Sequence, residues 1–387
     1  MRTVNFIAHN DIQLLYCGTD YFPALIAAID GARSEVYFET YIFADDATGT
    51  LVLDALKRAA ARGVLVCMIT DWFGTGNRRV NAMHAQLEAA GVHHRIFNPW
   101  FRRGITRTHR KICVADGEIA LVGGININDD MFCDYDHNIS LEAPRWDFAV
   151  QVKGPLVDAI HEEVQAQWAR LGKMNLVRRI KLYRKMRVVS KELAKNPVVA
   201  GFVVRDNLRN RRTIQRAYLQ ALGQARKSVM LANPYFAPGH KLRRALAQAA
   251  QRGVDVVLLI GVGEFRMQDA VAHSFYPKLL AAGVKIVEYR KTQLHAKVAV
   301  VDDDWATVGS SNIDALSLFL NQEANVVIKD VAFAQSLRQH IEQGVADGIV
   351  IHQDDFKHIG RFRRIGYEAA FLVYRLVMRI FSVGKYA

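Results

Sequence analysis

Two stretches of the chain decide its fold: THRKICVADGEIALVGGININ at residues 108–128 and LHAKVAVVDDDWATVGSSNID at residues 294–314. Both contain the pattern HxKxxxxD, then six residues, then a turn of small residues that ends at an asparagine. A single HxKxxxxD match occurs by chance in about one of twenty chains of this length. Two matches with identical spacing indicate that the chain carries one unit twice.

Three further pairs of segments repeat in the same order on the N-terminal side of these motifs. The pairs are ARSEVYFETYIF (32–43) with ARKSVMLANPYF (225–236), AAARGVLVCMITD (59–71) with QAAQRGVDVVLLIG (248–261), and LEAAGVHHRIF (87–97) with LLAAGVKIVEY (279–289). In the last two pairs a helix is predicted to end at a glycine and a buried strand to follow. This alternation predicts an α/β fold of two similar halves, with helices covering mixed or parallel sheets.

The repeats and the charge pattern divide the chain into four parts. We predict a first half at residues 1–175, a basic linker at 176–200, a second half at 201–355 and a basic amphipathic C-terminal helix at 356–387. The linker contains RRIKLYRKMRVVSKELAK (178–195), in which eight of the residues are Lys or Arg.

Composition limits the choice of partner and of chemistry. The formal net charge of +13 over 387 residues indicates an anionic partner, either nucleic acid or an anionic lipid surface. The four cysteines form no CxxC pair and no zinc-like cluster with histidine, which predicts reduced thiols and no metal site. No window reaches the roughly 18 uncharged apolar residues of a spanning helix, and the N-terminus lacks a secretory signal pattern. We therefore expect any membrane contact to be peripheral.

The repeated motif supplies the candidate catalytic residues. His and Lys two positions apart on a predicted strand face the same way, so both can meet one substrate group. A Lys charge and an Asn amide suit the non-bridging oxygens of a phosphodiester in its transition state. The two acids fall where the strands end, better placed to orient the turn than to attack. The candidates are His109, Lys111, Asp116, His295, Lys297 and Asp302, with Asn126 and Asn312 as phosphate-binding residues.

Four polar residues end the matching first strands of the two halves. In α/β folds such strand ends form the rim of the active site. We predict that they are pocket walls, although packing within the rim would explain them equally well: Glu39, Tyr41, Asn233 and Tyr235.

These motifs resemble the phospholipase D superfamily, and within it the B-type bacterial cardiolipin synthases, along almost the whole chain. The resemblance implies two fused α/β/α sandwich halves with pseudo-two-fold symmetry, and one composite site at which both motifs meet. It also implies a ping-pong reaction without cofactor, in which one histidine attacks phosphorus and the other serves as acid and then base. By the same resemblance, His109 is expected to be the nucleophile.

In this family each catalytic histidine forms a hydrogen bond with an acid that fixes its tautomer. The segment SLFLNQE (317–323) matches the tail of the family motif and assigns Glu323 to His295. The segment WDFAVQVKGP (146–155) matches the acid position of cardiolipin synthases and assigns Asp147 to His109, with Asp136 as the alternative.

The C-terminal segment IGYEAAFLVYRLVMRIFSV (365–383) predicts a strongly apolar helix. At 100° per residue, Glu368, Arg375 and Arg379 fall on one narrow stripe. Such a helix either buries against the protein or lies in lipid, and the preceding basic FKHIGRFRRIG (356–366) favours anionic lipid headgroups. This predicts a peripheral protein on the cytoplasmic face of the cell inner membrane.

Four functions remain in competition. The first is transfer of a phosphatidyl group between two phosphatidylglycerol molecules with release of glycerol, and the second is hydrolysis of phospholipid by water. The third is a superfamily nuclease, in which the net charge would serve phosphate backbones. The fourth is an inactive lipid-binding scaffold. The apolar tail argues against the nuclease, so no nucleic acid is expected as partner, and the two intact motifs argue against the scaffold.

Overall fold

Helices and strands alternate through both halves of the chain. The computed structural model describes residues 4–134, 138–172, 198–207, 209–357 and 361–381. The first half contains β1 (Ile7–Tyr16), α1 (Cys17–Gly31), β2 (Glu35–Thr40), α2 (Ala47–Ala61), β3 (Leu65–Asp71), α3 (Trp72–Thr75), α4 (Asn77–Ala89), β4 (His93–Phe97), a 3₁₀ turn (Pro99–Phe101), β5 (Arg102–Ile105), β6 (Ile112–Ala115), β7 (Ile119–Gly123), β8 (Phe148–Lys153) and α5 (Leu156–Leu171).

The second half follows the same order without a counterpart of β5, and adds α10 (Ala315–Phe319), β16 (Ile349–Ile351) and two C-terminal helices. It contains β9 (Val198–Arg205), α6 (Thr213–Gln224), β10 (Ser228–Asn233), α7 (His240–Gln251), β11 (Asp255–Gly261), α8 (Arg266–His273), α9 (Tyr276–Ala281), β12 (Lys285–Tyr289), β13 (Val298–Val301), β14 (Trp305–Gly309), α10 (Ala315–Phe319), β15 (Glu323–Lys329), α11 (Val331–Ala346), β16 (Ile349–Ile351), α12 (Gln353–Lys357) and α13 (Arg361–Phe381). Gly63 and Gly253 follow equivalent helices with φ of 85° and 88°, as the predicted glycine caps require.

All of the described strands except β5 form one continuous mixed sheet. Its order is β16-β12-β11-β10-β13-β14-β15-β9-β1-β8-β7-β6-β2-β3-β4. The run β2, β3, β4 is parallel, as is β10, β11, β12, whereas the strands nearer the middle pair antiparallel. At the centre, β1 and β9 pair antiparallel. The order is the same read outward from this pair, so the prediction of an α/β fold with two similar halves is confirmed.

The two halves share a buried apolar core. It combines side chains of β6, β7, β8 and α5 with side chains of β13, β14, β15 and α11. Trp146 of the first half contacts Tyr289 of the second within it. Separate cores lie under α1 and α2 in the first half and under α6 and α7 in the second. Because shared burial fixes the halves against each other, segments that are far apart in sequence are held together.

The structure describes only part of the predicted linker and of the predicted C-terminal helix. The basic segment 178–195 lies outside the described residues, and β9 begins at Val198, inside the range predicted for the linker. The predicted C-terminal helix consists of the short α12 and the longer α13. One face of α13 packs on the second half through Tyr367, Phe371 and Tyr374.

Candidate active site

Both repeated motifs open into one cleft between the halves. The cleft has a volume of about 360 Å³, within the range of small-molecule sites, and both His109 and His295 line it. The strands β6 and β13 begin only after each motif lysine, so the prediction that His and Lys lie on the strand is wrong. They are nevertheless adjacent, because the Nζ of Lys111 donates to the carbonyl oxygen of His109 at 2.9 Å, and Lys297 does the same to His295.

Two short β-bridges cross from one half to the other beside the histidines. Thr108 pairs with Gln322, and Leu294 pairs with Trp146. The backbone N–H of His109 donates to the carbonyl of Gln322, and that of His295 donates to the carbonyl of Trp146, each at 2.9 Å. His109 therefore lies next to Glu323, the residue after Gln322. His295 lies next to Asp147, the residue after Trp146.

Because the bridges cross between the halves, each histidine contacts the acid that the sequence assigned to the other histidine. The Nδ1 of His295 lies 2.6 Å from an oxygen of Asp147, and the Nδ1 of His109 lies 3.1 Å from an oxygen of Glu323. The predicted pairs, Glu323 with His295 and Asp147 with His109, are therefore wrong. Asp147 and Glu323 do occupy equivalent positions, since each lies two residues before the strand residue that pairs with the turn glycine of its own half. The alternative acid Asp136 lies outside the described residues.

The small residues of each turn contact the acid of their own half. A side chain added at Gly124 would collide with the carboxylate of Asp147. At the equivalent position, the hydroxyl of Ser310 donates to Glu323 at 2.5 Å. The carbonyl oxygen of Ser310 also lies 3.0 Å from the Nδ1 of His109. The turn and the acid of the second half thus both contact the histidine of the first half.

The surroundings of His109 fix its tautomer. Both neighbours of its Nδ1, a carbonyl oxygen and a carboxylate, are acceptors, so this nitrogen carries the proton. Burial, followed by the charge of Lys111, lowers the pKa of His109. The ring is therefore neutral, with the Nε2 lone pair available to the cleft.

His295 is held between two carboxylates. Its Nδ1 contacts Asp147, and its Nε2 lies 3.5 Å from an oxygen of Asp134. Burial and then the charge of Lys297 lower the pKa of His295, whereas Asp134 opposes this shift. Burial also raises the pKa of Asp147 to about 6. An imidazolium at this position could donate to both acids at once.

The two motif lysines are buried close together beneath the cleft. Burial and then the charge of Lys297 lower the pKa of Lys111 to about 7. Burial lowers the pKa of Lys297 to about 8. Neighbouring buried ammonium groups disfavour each other's charge, so an anion bound beside them would stabilise both.

Asp116 and Asp302 do not belong to the cleft, which corrects their inclusion among the catalytic candidates. Each lies at the far end of its strand with φ near 50°. The carboxylate of Asp116 accepts backbone N–H groups from residues 33–35 at 2.8 to 2.9 Å. The carboxylate of Asp302 does the same for residues 226–228 at 2.7 to 3.1 Å. They fix the start of β2 and β10, which the sequence did not indicate.

The four predicted pocket walls divide into two pairs. Tyr41 and Tyr235 line the cleft, and the Tyr41 ring meets the His109 ring edge-on at 4.7 Å. Glu39 lies behind the wall, where it accepts from Thr108 and Arg110. Asn233 likewise lies behind it and accepts from the backbone of Ile313. The two asparagines of the motifs, Asn126 and Asn312, line the cleft as predicted.

The sequence analysis missed three charged residues that line the cleft, Arg107, Asp134 and Asp314. Arg107 lines it and donates to the hydroxyl of Tyr41 at 3.1 Å. Asp134 lines it as well, anchored by Arg145 at 3.3 Å. Arg107 and Asp134 are not repeated in the other half: Gln293 stands at the position equivalent to Arg107. A search based on the internal repeat therefore could not find them.

Two absences concern only the described part of the chain. Within it, no three His, Cys, Asp or Glu side chains are grouped so that they could hold a metal ion. None of the helices described there combines the length and the hydrophobicity needed to cross a membrane.

Comparisons with known proteins identify similar sequences along most of the chain. The family described as "Cardiolipin synthase, PLD-like domain" matches residues 25–163 and 218–344. Cardiolipin synthase B of Salmonella typhimurium is 38% identical over 351 residues, which cover 89% of this chain and 81% of that protein. Cardiolipin synthase of Clostridium perfringens is 30% identical over 93% of this chain and 76% of its own length.

A solved structure has a similar fold. The phosphatidylserine synthase of Haemophilus influenzae superposes with a TM-score of 0.72 over 98% of this chain and 96% of its own. Its sequence is 16% identical, so the likeness concerns the fold alone.

Proposed function

Since the chain belongs to the cardiolipin synthase family of phospholipase D-like proteins, we propose that it transfers a phosphatidyl group from one phosphatidylglycerol to another and releases glycerol. The observation that carries this proposal is the meeting of His109 and His295 in one cleft, each with Nδ1 against an acid of the opposite half. This arrangement directs both Nε2 atoms toward the same bound group, as a two-histidine transfer requires.

In the first step, the Nε2 of His109 attacks the phosphorus of the donor lipid. The bond between phosphorus and the glycerol oxygen breaks, and His295 gives its Nε2 proton to that oxygen, so glycerol leaves and a phosphatidyl-histidine remains. Lys111, Lys297 and the amides of Asn126 and Asn312 stabilise the charge that develops on the non-bridging oxygens. The phosphodiester itself is anionic and would raise the pKa of His295 by offsetting the lysine charges.

In the second step, the same groups act in reverse order. The Nε2 of His295 removes the proton from a hydroxyl of a second phosphatidylglycerol. Its oxygen attacks phosphorus, the phosphorus–nitrogen bond to His109 breaks, and the product carries two phosphatidyl groups on one glycerol. Both histidines return to their starting protonation states.

The surroundings of the two rings support this division of roles. His109 is neutral, and the acceptors at its Nδ1 leave Nε2 unprotonated, which a nucleophile needs. For His295, Asp134 and the bound phosphodiester anion offset the burial and the Lys297 charge that lower its pKa, so the imidazolium that a general acid needs forms when the donor lipid binds.

We further propose that the cleft faces an anionic membrane, on the cytoplasmic side of the inner membrane. Phe73 and Phe265 line the cleft and are exposed. Trp100, at 65% exposure, contacts Trp72 at the start of α3. On α13, the face opposite the protein leaves Leu372 and Leu376 more than half exposed. Apolar side chains of this size on a cationic protein suit the interface of an anionic bilayer.

The test is to incubate purified protein separately with phosphatidylglycerol, phosphatidylethanolamine and an oligonucleotide, and to identify the products by mass spectrometry. Cardiolipin and glycerol from phosphatidylglycerol alone are the expected result. Phosphatidic acid without cardiolipin would make the protein a hydrolase, and cleavage of the oligonucleotide would make it a nuclease.

A second measurement tests the covalent intermediate. The His295→Ala variant is given a phosphatidyl donor whose leaving group is activated enough to need no proton. We expect an adduct that accumulates on His109, mapped by peptide mass spectrometry after a neutral or alkaline quench, because acid destroys phosphohistidine. An adduct found only in His109→Ala protein, and on His295, would reverse the roles.

A further inference from the structure

The side of the cleft next to His295 contains a carboxylate, that of Asp134, to which the proposed transfer assigns no contact with the substrate. Asp134 is about nine-tenths buried and belongs to the loop after the first motif. Its Oδ1 accepts from the amide of Asn128 at 2.6 Å and lies 3.3 Å from the guanidinium of Arg145. Its Oδ2 is directed to the Nε2 of His295 at 3.5 Å. One oxygen is thus fixed by the protein, while the other lies at the reacting end of the cleft.

The charge of Asp134 is maintained by its neighbours. Although burial opposes the charge, Arg145 and then His295 hold the pKa of Asp134 well below its usual range. The 3.5 Å separation from Nε2 is longer than a good hydrogen bond. It is comparable with the distance between hydroxyl oxygens on neighbouring carbon atoms, so one ligand with two such hydroxyls can engage both groups.

The two ends of the cleft differ in charge, with a cation near His109 and acids near His295. Near His109, the hydroxyl of Tyr41 accepts from the cationic Arg107. Near Asp134, the hydroxyl of the equivalent Tyr235 donates to the acid Glu264 at 2.9 Å. The His109 end therefore offers donors for an anionic phosphate, and the His295 end offers acceptors.

The wall of the cleft contains two further acceptors, on the asparagines whose amide N–H groups are assigned to the phosphate. The amide oxygens of Asn126 and Asn312 are buried in the cleft wall and accept no hydrogen bond from any described residue. Both side chains are more than nine-tenths buried. Buried acceptors without a donor are costly unless a ligand supplies one.

We propose that Asp134 is the anchor of a hydroxyl-binding subsite that selects alcohols carrying hydroxyls on neighbouring carbons. The reacting hydroxyl lies at the Nε2 of His295, and the neighbouring hydroxyl donates to the Oδ2 of Asp134. The subsite receives the glycerol group as it leaves and again as it enters on the second lipid. This inference rests on the proposed transfer, and it adds a reason why a polyol is preferred to water and to simple alcohols.

The experiment measures acceptor choice in one reaction mixture. Wild-type protein receives an activated phosphatidyl donor together with equimolar 1,2-propanediol, 1,3-propanediol and 1-propanol, and mass spectrometry gives the product ratio. Since a hydrogen bond to a charged group is involved, we expect 1,2-propanediol to exceed the other two by roughly tenfold or more. In Asp134→Asn protein the three products should become similar in amount.

A product ratio separates a subsite from a residue that merely supports His295. A supporting role would slow transfer to all acceptors and to water equally, leaving the ratio unchanged in Asp134→Asn protein, and that result would overturn the proposal. The matched control is Asp130→Asn, since Asp130 also approaches Arg145, at 3.6 Å, but does not line the cleft. This variant should keep the wild-type ratio.

The product ratio of the wild-type protein tests the proposal even if the Asp134→Asn variant fails to fold. Equal transfer to the two propanediols would contradict the subsite without any variant. Hydrolysis with no transfer to any alcohol would instead contradict the proposed transferase function, so the two failures are distinguishable.

Discussion

The Nδ1 of His295 lies 2.6 Å from a carboxylate oxygen of Asp147, a residue of the opposite half that is 148 positions away in sequence. The equivalent contact joins His109 to Glu323, 214 positions away. Neither half contains a histidine together with the acid that orients it. A half taken alone would therefore contain one histidine without its orienting acid, and it would lack the second histidine.

We predict that His109→Ala and His295→Ala each abolish transfer with natural phosphatidylglycerol. The double variant should be no slower than either single variant, because residues that act as one unit are not additive. The measurement is the rate of cardiolipin formation by folded protein, with circular dichroism as the control. Half of the wild-type activity in each single variant would mean two independent sites and contradict the composite cleft.

The crossed acids predict a distinct kinetic signature for each carboxamide variant. With a p-nitrophenyl leaving group, Glu323→Gln should slow the initial burst roughly a hundredfold, because Glu323 orients the nucleophile His109. Asp147→Asn should spare the burst and slow the following turnover by a similar factor. Stopped-flow absorbance separates the two phases.

A double-variant comparison controls for indirect effects of these acids. In a His295→Ala background, adding Asp147→Asn should change the burst little, because Asp147 acts through the missing ring. If Asp147→Asn suppressed the burst and Glu323→Gln spared it, each acid would serve the histidine of its own half, and the crossed pairing would be wrong in solution.

The lysine pair predicts an alkaline limb in kcat/KM. The pKa of Lys111 is about 7 and that of Lys297 about 8, so both ammonium groups lose their protons as the pH rises through this range. Since the charged forms bind the phosphodiester, kcat/KM should fall above about pH 7 and more steeply above about pH 8. Lys111→Arg keeps its charge at every working pH, so the limb should then begin only near pH 8, where Lys297 titrates, even if the absolute rate is lower. An unchanged limb in Lys111→Arg would exclude Lys111 as its source.

Asp116 should matter for stability rather than for chemistry. Asp116→Ala removes the acceptor of several backbone N–H groups, at a cost of about 1–3 kcal/mol, so Tm should fall by a few degrees. The kcat/KM of the folded variant should stay within about threefold of wild type. Asp54→Ala, in an exposed ion pair on α2, is the control and should change Tm little. If the Asp116→Ala variant lost activity at unchanged Tm, Asp116 would be a catalytic residue after all.

The two faces of α13 predict opposite effects of substitution. Replacing the exposed Leu372, Val373 and Leu376 by serine should weaken sedimentation with anionic vesicles and leave Tm unchanged. Phe371→Ala is the matched change on the inner face, where the ring contacts Phe275 at 4.9 Å, and should lower Tm. High salt should reproduce part of the binding loss in wild-type protein, because headgroup attraction is screened. Undiminished vesicle binding by the triple variant would place the membrane surface elsewhere.

Much of the fold and the membership of the site followed from local patterns in the sequence. The repeated HxKxxxxD motifs indicated two similar halves, and the helix–glycine–strand units indicated an α/β order. Each motif and each unit is a short continuous stretch of the chain, so a linear pattern records it. The same comparison identified His109, His295 and the two asparagines that line the cleft. It also indicated that Asp116 is better placed to orient backbone than to attack, but not that it holds the segment before β2.

Only the tertiary structure decided which acid serves which histidine. Asp147 and Glu323 are equivalent under the repeat, so the sequence is equally consistent with pairing within a half or across halves. The choice depends on the β-bridges of Thr108 with Gln322 and of Leu294 with Trp146, which form because a shared core holds the halves together. Arg107 and Asp134 escaped prediction because the repeat does not duplicate them. Contacts between distant segments leave no periodic trace in a single chain, so the division of chemistry between the halves exists only once they are packed.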